Sequence, residues 1–273
     1  MDPKEIEDIE VYLLLEALRL RHGYDFRQYA PASLRRRIIQ CLNRCEYTCI
    51  SEIIPNLLYD DLQLTRLISE LSIHVTEMFR DPGTFAVMRQ KIFPMVAANL
   101  PVNIWHAGCS TGEEVYSLAI LLHEAELLPR CRIYATDINP QAIEVARSGI
   151  YPLGRMRQYS ANYLKAGGSG SLSDHYQVVH DAAHMDPHLR DNILFSTHNL
   201  ATDSVFAETH LILCRNVLIY FDNQLRDRVL RLFLDSLSPG GILCLGNAEG
   251  LRGSALQEQF QFMMESYNLY AKI

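Results

Sequence analysis

The sequence predicts an α/β protein in two parts: a helical N-terminal domain over residues 1–83 and a Rossmann-like sheet domain over residues 84–273, the latter carrying a small β insertion at about 151–192. Three observations predict it. Residues 4–98 read as helices. From Asn103 onward, short apolar strands alternate with amphipathic helices, which means a largely parallel sheet covered on both faces. Residues 151–192 then break that rhythm with a glycine- and serine-rich turn, KAGGSGSLSDH, beside YQVVH and NILFST, which look like strands.

In the helical part, IEVYLLLEALRLRHG has apolar residues at helical spacing and a glycine stop at Gly23. SLRRRIIQCLNR follows, with Ser33 as the expected N-cap. DDLQLTRLISELS starts on aspartates that suit a helix dipole. FAVMRQKIFPMVAANLP is the helix expected to lead into the second part. There, NIWHA is a strand, followed by a helix from about Gly112 to Leu127. CRIYAT is the second strand, and NPQAIEVARSG a helix with Pro140 in its first turn. THLILC, the amphipathic NQLRDRVLRLFLDSL and GILCLG continue the alternation. FQFMMES and YNLYAKI close it as an antiparallel pair.

Bulk properties narrow the function. No apolar run reaches the roughly 20 residues that span a bilayer, and the acidic start MDPKEIEDIE shows no signal peptide. A net charge of −7 argues against bulk nucleic-acid binding and leaves room for a local basic patch. Seven cysteines, an odd number, favour reduced thiols and a cytoplasmic location. Cys41, Cys45 and Cys49 miss the spacing of a radical-cluster motif by one residue, and helical spacing places them near one face as small buried thiols. His180, His184 and His188 repeat at H-x3-H-x3-H, but Pro187 interrupts any helix that would align them, so they read as solvated and no metal is expected.

Chemistry concentrates in IWHAGCSTGEEVYSLAI, residues 104–120. Gly108 to Gly112 fit G-x-S-x-G, the nucleophile elbow of serine hydrolases, with Asp137 and His198 downstream to complete a triad. No H-G-G-G-like oxyanion segment is present, and Glu113 and Glu114 would oppose a developing oxyanion. A cofactor cradle explains more. The turn follows a strand at the carboxyl edge of a parallel sheet, where ligands bind. Two carboxylates at a helix start would repel a pyrophosphate, but suit a cofactor with cationic groups and no phosphate, such as S-adenosylmethionine. Asp137, ending the second strand in ATDIN, is placed to accept from ribose hydroxyls.

Taken together, HVTEMFRDP, AGCSTGEEVYSLAI, ATDIN, ARSGIY, HNL, CRNVLIYF and LSPGGILCLGNAE resemble the chemotaxis receptor methyltransferase family over almost the whole chain. The resemblance implies a Rossmann-like S-adenosylmethionine methyltransferase domain. It also implies transfer of methyl groups to glutamates of a chemoreceptor-like protein, giving glutamyl methyl esters. The sequence departs from the family pattern at His106 for serine, Val115 for proline, His74 for a cofactor-contacting asparagine, and GNAE for G-H-S-E.

Roles then follow from the resemblance, residue by residue. Arg80 resembles the family's essential arginine, touching the cofactor and orienting the incoming carboxylate. His74 and Thr76 line the same pocket, and Gly108 belongs to the cofactor turn. Glu114 meets the methionine ammonium, although it also complements a helix dipole. Asp137 holds the ribose, although it could simply cap the next helix. Asn199 and Leu200 flank the adenine, Asn216 and Val217 contact the cofactor, and Tyr220 stands near the methyl acceptor. Arg35, Arg36 and Arg37 form either a solvated run or a face for an acidic receptor helix. The β insertion is the expected grip for a receptor tail, by strand addition. The competing readings are a same-family enzyme of another signalling pathway and a non-catalytic adaptor that only binds the cofactor.

Overall fold

A computed structural model describes residues 2–45, 47–72 and 76–273. The helical part starts with α1 (Pro3–His22), capped by Asp2 and Glu5 in a reciprocal box and ended by Gly23 at φ 77°. α2 (Pro31–Arg44) begins two residues before Ser33. Pro31 at its first position supplies the fixed φ that starts the helix, and no side chain caps it. Cys45 terminates α2 and Cys49 lies beyond it, so the three spaced cysteines do not share a helix face; among them only Cys41 is buried. α3 (Ile53–Tyr59) and α4 (Asp61–Leu71), the latter capped by Asp60, complete a bundle around Leu14, Leu18, Ile38, Leu57 and Leu67.

α5 (Pro82–Val87) and α6 (Phe93–Ala98) are joined by one π-helical turn over Met88–Ile92. Pro94 sits just inside α6, and the wider turn before it relieves the clash of its ring with the carbonyl four residues back. The sheet domain follows as β1 (Val102–Ala107), α7 (Glu113–Glu124), β2 (Cys131–Asp137), α8 (Pro140–Ser148), β3 (Ile150–Pro152), α9 (Met156–Lys165), β4 (Tyr176–Val179), β5 (Ala182–Met185), β6 (Ile193–Thr197), β7 (Thr209–Cys214), α10 (Asn223–Ser236), β8 (Leu237–Leu245), β9 (Phe260–Met264) and β10 (Leu269–Lys272).

Seven strands form the main sheet in the order β6-β2-β1-β7-β8-β10-β9. The first five are mutually parallel, and β10 and β9 close it antiparallel, as FQFMMES and YNLYAKI predict. The central strands bury both faces, as a parallel sheet covered by helices must. Ile104, Ile133, Leu211 and Leu213 face the core under α7, whereas Trp105, Ile212, Leu243 and Leu245 face the core under α10.

Two features of the insertion differ from expectation. NILFST is not part of it: β6 is an edge strand of the main sheet, in parallel register with β2 from Ile193 opposite Ile133. The inserted sheet consists of β3, β5 and β4, and α9 packs against α5 and the short 3₁₀ turns at Leu153–Arg155 and Leu172–His175. The helix has a half-buried face with Met156, Tyr159 and Tyr163 in the core, a signal that the many polar residues of MRQYSANYLK obscure. His180 lies in the β4–β5 turn, His184 in β5 and His188 in a short 3₁₀ turn. Among the described residues, no group of three or more His, Cys, Asp or Glu is arranged to hold a metal. Among the described residues, no helix is long and apolar enough to cross a membrane.

Candidate active site

Consecutive strands β1 and β2 extend the sheet one way and β7 the other, so the chain reverses between β1 and β7. In open α/β sheets such a switch point, at the carboxyl ends of the strands, is where ligands bind. The turn after β1 is shaped for it. Gly108 has φ 74°, and a Cβ there would lie 2.5 Å from Val217 Cγ2 at the end of β7. The amides of Gly108 and Cys109 both donate to Thr136 O of β2, which tucks the turn against the neighbouring strand. Gly112 has φ 90°, and its Cβ would meet Ala146 of α8 at 2.7 Å. Both glycines are therefore required by conformation and by space.

Asp137 ties the β1 and β2 turns together. Its carboxylate accepts from Ser110 N at 2.8 Å and from Asn139 N at 2.9 Å. Asn139, not Asp137, caps α8, accepting from Gln141 N and Ala142 N. The elbow reading fails on the same geometry. The proposed triad carboxylate serves main-chain amides, while His198 packs its ring edge-on to Trp105 and Phe206 and turns Nε2 toward Ser204 O.

The two glutamates that open α7 part company. Glu113 is buried away from the cleft, accepting from Thr111 Oγ1 at 2.6 Å, and burial raises its pKa. Glu114 lines the cleft and is met there by Arg215, whose Nη1 donates to Glu114 Oε2 at 2.6 Å. The cleft is therefore not simply acidic, as the pair E-E implies in sequence. Arg215 has no exposed side-chain surface. It also donates to Asp81 Oδ2 at 2.8 Å and Arg80 O at 3.2 Å, and stands over the Phe85 ring. His106 of β1 places Nε2 3.2 Å from Glu114 Oε1. Its other ring nitrogen, Nδ1, is buried without a hydrogen-bond partner among the described residues. Burial alone would push Glu114 up, but Arg215 and then His106 hold its carboxyl below the usual range.

The sign of that shift gives a test. A carboxylate with a depressed folded pKa contributes stability that is full above its ordinary value of 4.5 and is lost as pH falls through the folded value. The melting-temperature gap between wild type and Glu114→Gln should hold steady from neutrality down to about that pH and then narrow. A gap that closes nearer neutrality would mean that Glu114 is not held ionised by Arg215.

The segment before α5 is pinned in an unusual conformation. Phe79 and Asp81 both adopt positive φ, at 54° and 53°, on either side of Arg80. Each such residue costs on the order of 1–3 kcal/mol and persists only where its surroundings over-determine it. Here Ser117 Oγ accepts from Phe79 N at 2.8 Å, Asn162 Nδ2 donates to Met78 O, and Arg215 holds Arg80 O and the Asp81 carboxylate. The result is a fixed platform that sets the Arg80 side chain in the cleft wall, within Coulombic reach of Glu114.

The opposite wall comes from the helical part. Phe26, Tyr29, Leu34 and Arg37 line the cleft, and the two parts are stitched together beside it. Ala30 N donates to Tyr220 O at 2.7 Å, Asp222 N donates to Gln28 O at 2.8 Å, and the Tyr29 and Phe221 rings meet edge-on at 4.9 Å. Arg37 donates to Ser72 O at 3.1 Å, and burial lowers its pKa.

The structure thus brings Thr76, Arg80, Gly108, Glu114, Asp137, Leu200, Asn216, Val217 and Tyr220 around one cleft. Asn199 is not among them. Its Oδ1 accepts from Ala201 N in a local turn, and the residue lines a neighbouring depression with Arg19 and Thr202. Arg35, Arg36 and Arg37 do not form one face: Arg35 pairs with Glu7 and Asp8, Arg36 is exposed and Arg37 faces the cleft. His74 lies outside the described residues.

Sequence reasoning missed two residues that hold the site. Arg215 was visible as a charge inside the apolar run THLILCRNVLIYF, and a charge there must be paired. Glu249 accepts from the amides of Gly246, Asn216 and Val217 at 2.7–2.8 Å, with Ile219 N at 3.3 Å. It holds Asn216 in its left-handed conformation, φ 61°. Nothing local in GNAE announces that role.

The family model described as CheR methyltransferase, SAM binding domain, matches residues 74–268. The chain belongs to this family. The CheR match takes in the Arg80 platform and the sheet domain up to the end of β9, stopping just before β10. Relatives agree over most of their length. A protein of Pseudomonas putida named as a methyltransferase, Cher3, is 45% identical over 97% of each chain. A chemotaxis protein methyltransferase of Listeria innocua is 31% identical over 85% of this chain and 87% of its own. A chemotaxis protein methyltransferase of Vibrio cholerae is 30% identical over 88% and 86%.

S-adenosylmethionine is the cofactor of this CheR domain, and the cleft fits it. Carboxylates line it at Glu114 and Asp137, a donor set suited to a cofactor with cationic groups and hydroxyls, and the buried His106 Nδ1 has no hydrogen-bond partner among the described residues. Ile138, Leu200 and Val217 supply apolar wall for a flat base.

Proposed function

We propose that this chain transfers methyl groups from S-adenosylmethionine to side-chain carboxylates of glutamates in a chemoreceptor-like helical protein, giving methyl esters. One observation carries the reading. Arg80 and Tyr220 share the cofactor cleft with Glu114, and they do so where the helical part closes over the sheet. The names of the Listeria and Vibrio relatives support a place in chemotaxis.

The cofactor supplies a methyl group made electrophilic by a sulfonium. A glutamate acceptor, with a reference pKa near 4.3, is already ionised at neutral pH, so no general base is needed. What the protein must do is align the carboxylate and strip its water. In this reading Arg80 orients the incoming carboxylate and Tyr220 donates a hydrogen bond to it. Glu114 meets the methionine ammonium. Asp137, at the carboxyl end of β2 in the cleft wall, holds the ribose. Gly108, Thr76, Leu200, Asn216 and Val217 shape the cofactor wall.

Residues 1–83 form the docking domain in the same reading and residues 84–273 the catalytic one. Arg36 and the outer edge of Arg35 present positive charge to an acidic receptor helix, while Arg37 acts inside the cleft. β4, an edge of the inserted sheet, offers strand pairing to a receptor tail. The protein works in the cytoplasm, where its seven free thiols stay reduced.

The decisive measurement is transfer of labelled methyl groups to a receptor cytoplasmic fragment, followed by mild base. Label released as methanol identifies an ester. Label that survives base would mean nitrogen or ether methylation and would sink the carboxylate reading.

A further inference from the structure

The outer face of α1 carries a row of exposed apolar side chains, and among the described residues nothing buries them. Leu14, Leu15 and Leu18 point into the helical core, whereas Ile6, Ile9, Tyr12, Leu13 and Leu20 are 46–73% exposed. Ile6, Ile9, Leu13 and Leu20 fall at alternating three- and four-residue steps, the spacing of a coiled-coil seam, with Glu16 at the remaining seam position. A contiguous apolar stripe on a soluble surface marks a contact.

The charges beside the stripe say what covers it. Along the edge that contains Tyr12, Glu5 and Asp8 stand toward the N-terminal end and Arg19 toward the C-terminal end. Arg19 pairs with Glu16 within the helix and stays 36% exposed. A parallel copy would set Glu5 of one helix against Glu10 of the other, like charge against like. An antiparallel copy sets the acidic end against Arg19 twice, once on each side of a two-fold axis passing near Tyr12 and Leu13. A two-fold contact of this kind is self-complementary and closes on itself.

We infer that α1 is a homodimerisation helix: two copies of this chain pair through antiparallel α1 helices, burying Ile6, Ile9, Leu13 and Leu20 and matching Glu5 with Arg19. The contact lies on the far side of α1 from its packing in the helical core, so dimerisation leaves the catalytic residues in place.

Sedimentation of the full chain over a wide concentration range tests this. The expected result is a reversible shift from the 31.2 kDa monomer to twice that mass. Leu13→Glu, which sets like charges together at the axis, should remain monomeric throughout while keeping wild-type cofactor binding and circular dichroism. Orientation is read by cross-linking. Tyr12→Cys should yield a 12–12 linked peptide by mass spectrometry, which distinguishes it from links through the partly exposed Cys45 and Cys49. Ile6→Cys should not link to itself, but should link to Leu20→Cys when the two variants are mixed. A wild type that stays monomeric at the highest concentration overturns the inference, as does a Leu13→Glu dimer. A 6–6 link overturns the antiparallel arrangement.

Discussion

Arg80→Ala is expected to lower methyl-transfer turnover by about 10²–10³, the usual cost of removing a charged group aimed at a reacting centre, while the protein melts close to the wild-type temperature. The separation follows from how the segment is held. The contacts that pin it use the Phe79 amide, the Met78 and Arg80 carbonyls and the Asp81 carboxylate, none of which belongs to the Arg80 side chain. Truncation at Cβ therefore leaves these contacts in place and takes the guanidinium out of the cleft wall. Single-turnover transfer to a receptor fragment, with cofactor affinity measured separately by calorimetry, resolves the effect. Turnover within a few-fold of wild type would remove Arg80 from the chemistry, whatever its place in the cleft.

Arg215→Ala should act on stability first. Arg215 is fully buried between two carboxylates, Glu114 at 2.6 Å and Asp81 at 2.8 Å. Removing one member of a buried ionic cluster leaves the others uncompensated and costs about 3–5 kcal/mol. For a chain of this size that corresponds to a fall in melting temperature on the order of ten degrees. Cofactor affinity should fall with it, because Glu114 loses the partner that orients it and Arg80 loses the contact to its carbonyl. Arg215→Lys should recover only part of the loss, since an ammonium cannot reach both carboxylates with a planar fork. Scanning calorimetry decides the matter: a variant melting within two or so degrees of wild type would mean that the cluster relaxes at little cost.

These two arginines also mark how far the sequence could be read. Arg80 lies in TEMFRD, a short run whose likeness to a known family is visible without coordinates. Arg215 lies in CRNVLIYF, just as visible, yet its function depends on α5 and α7 arriving at the end of β7 from 134 and 101 positions away. Local pattern is silent about such meetings. The same holds for Glu249, whose carboxylate organises amides 30–33 residues earlier in the chain.

The arginine run of α2 shows the converse. Three consecutive basic residues look like one feature on paper. Successive residues on a helix are separated by about 100°, and the fold sends one to Glu7 and Asp8, one to solvent and one into the cleft. Likewise Glu113 and Glu114 read as a doubled negative charge. One residue of rotation buries Glu113 against Thr111 and leaves Glu114 alone in the cleft, already matched by a cation.

The sequence by itself determined the alternation of strands and helices outside the insertion, the parallel sheet with its antiparallel close, the glycine turn after the first strand and the family. These are properties of local spacing: helical and strand periodicity, glycines where φ must be positive, and short motifs that survive without their surroundings. Only the tertiary structure decided which strand is an edge, which of the two glutamates lines the cleft, that the helical part supplies a wall of the cleft, and which buried charges hold the Arg80 platform. Those depend on groups distant in sequence meeting in a desolvated interior, where an unpaired charge is too costly to persist and the pairing partner, rather than the residue's own type, sets its role.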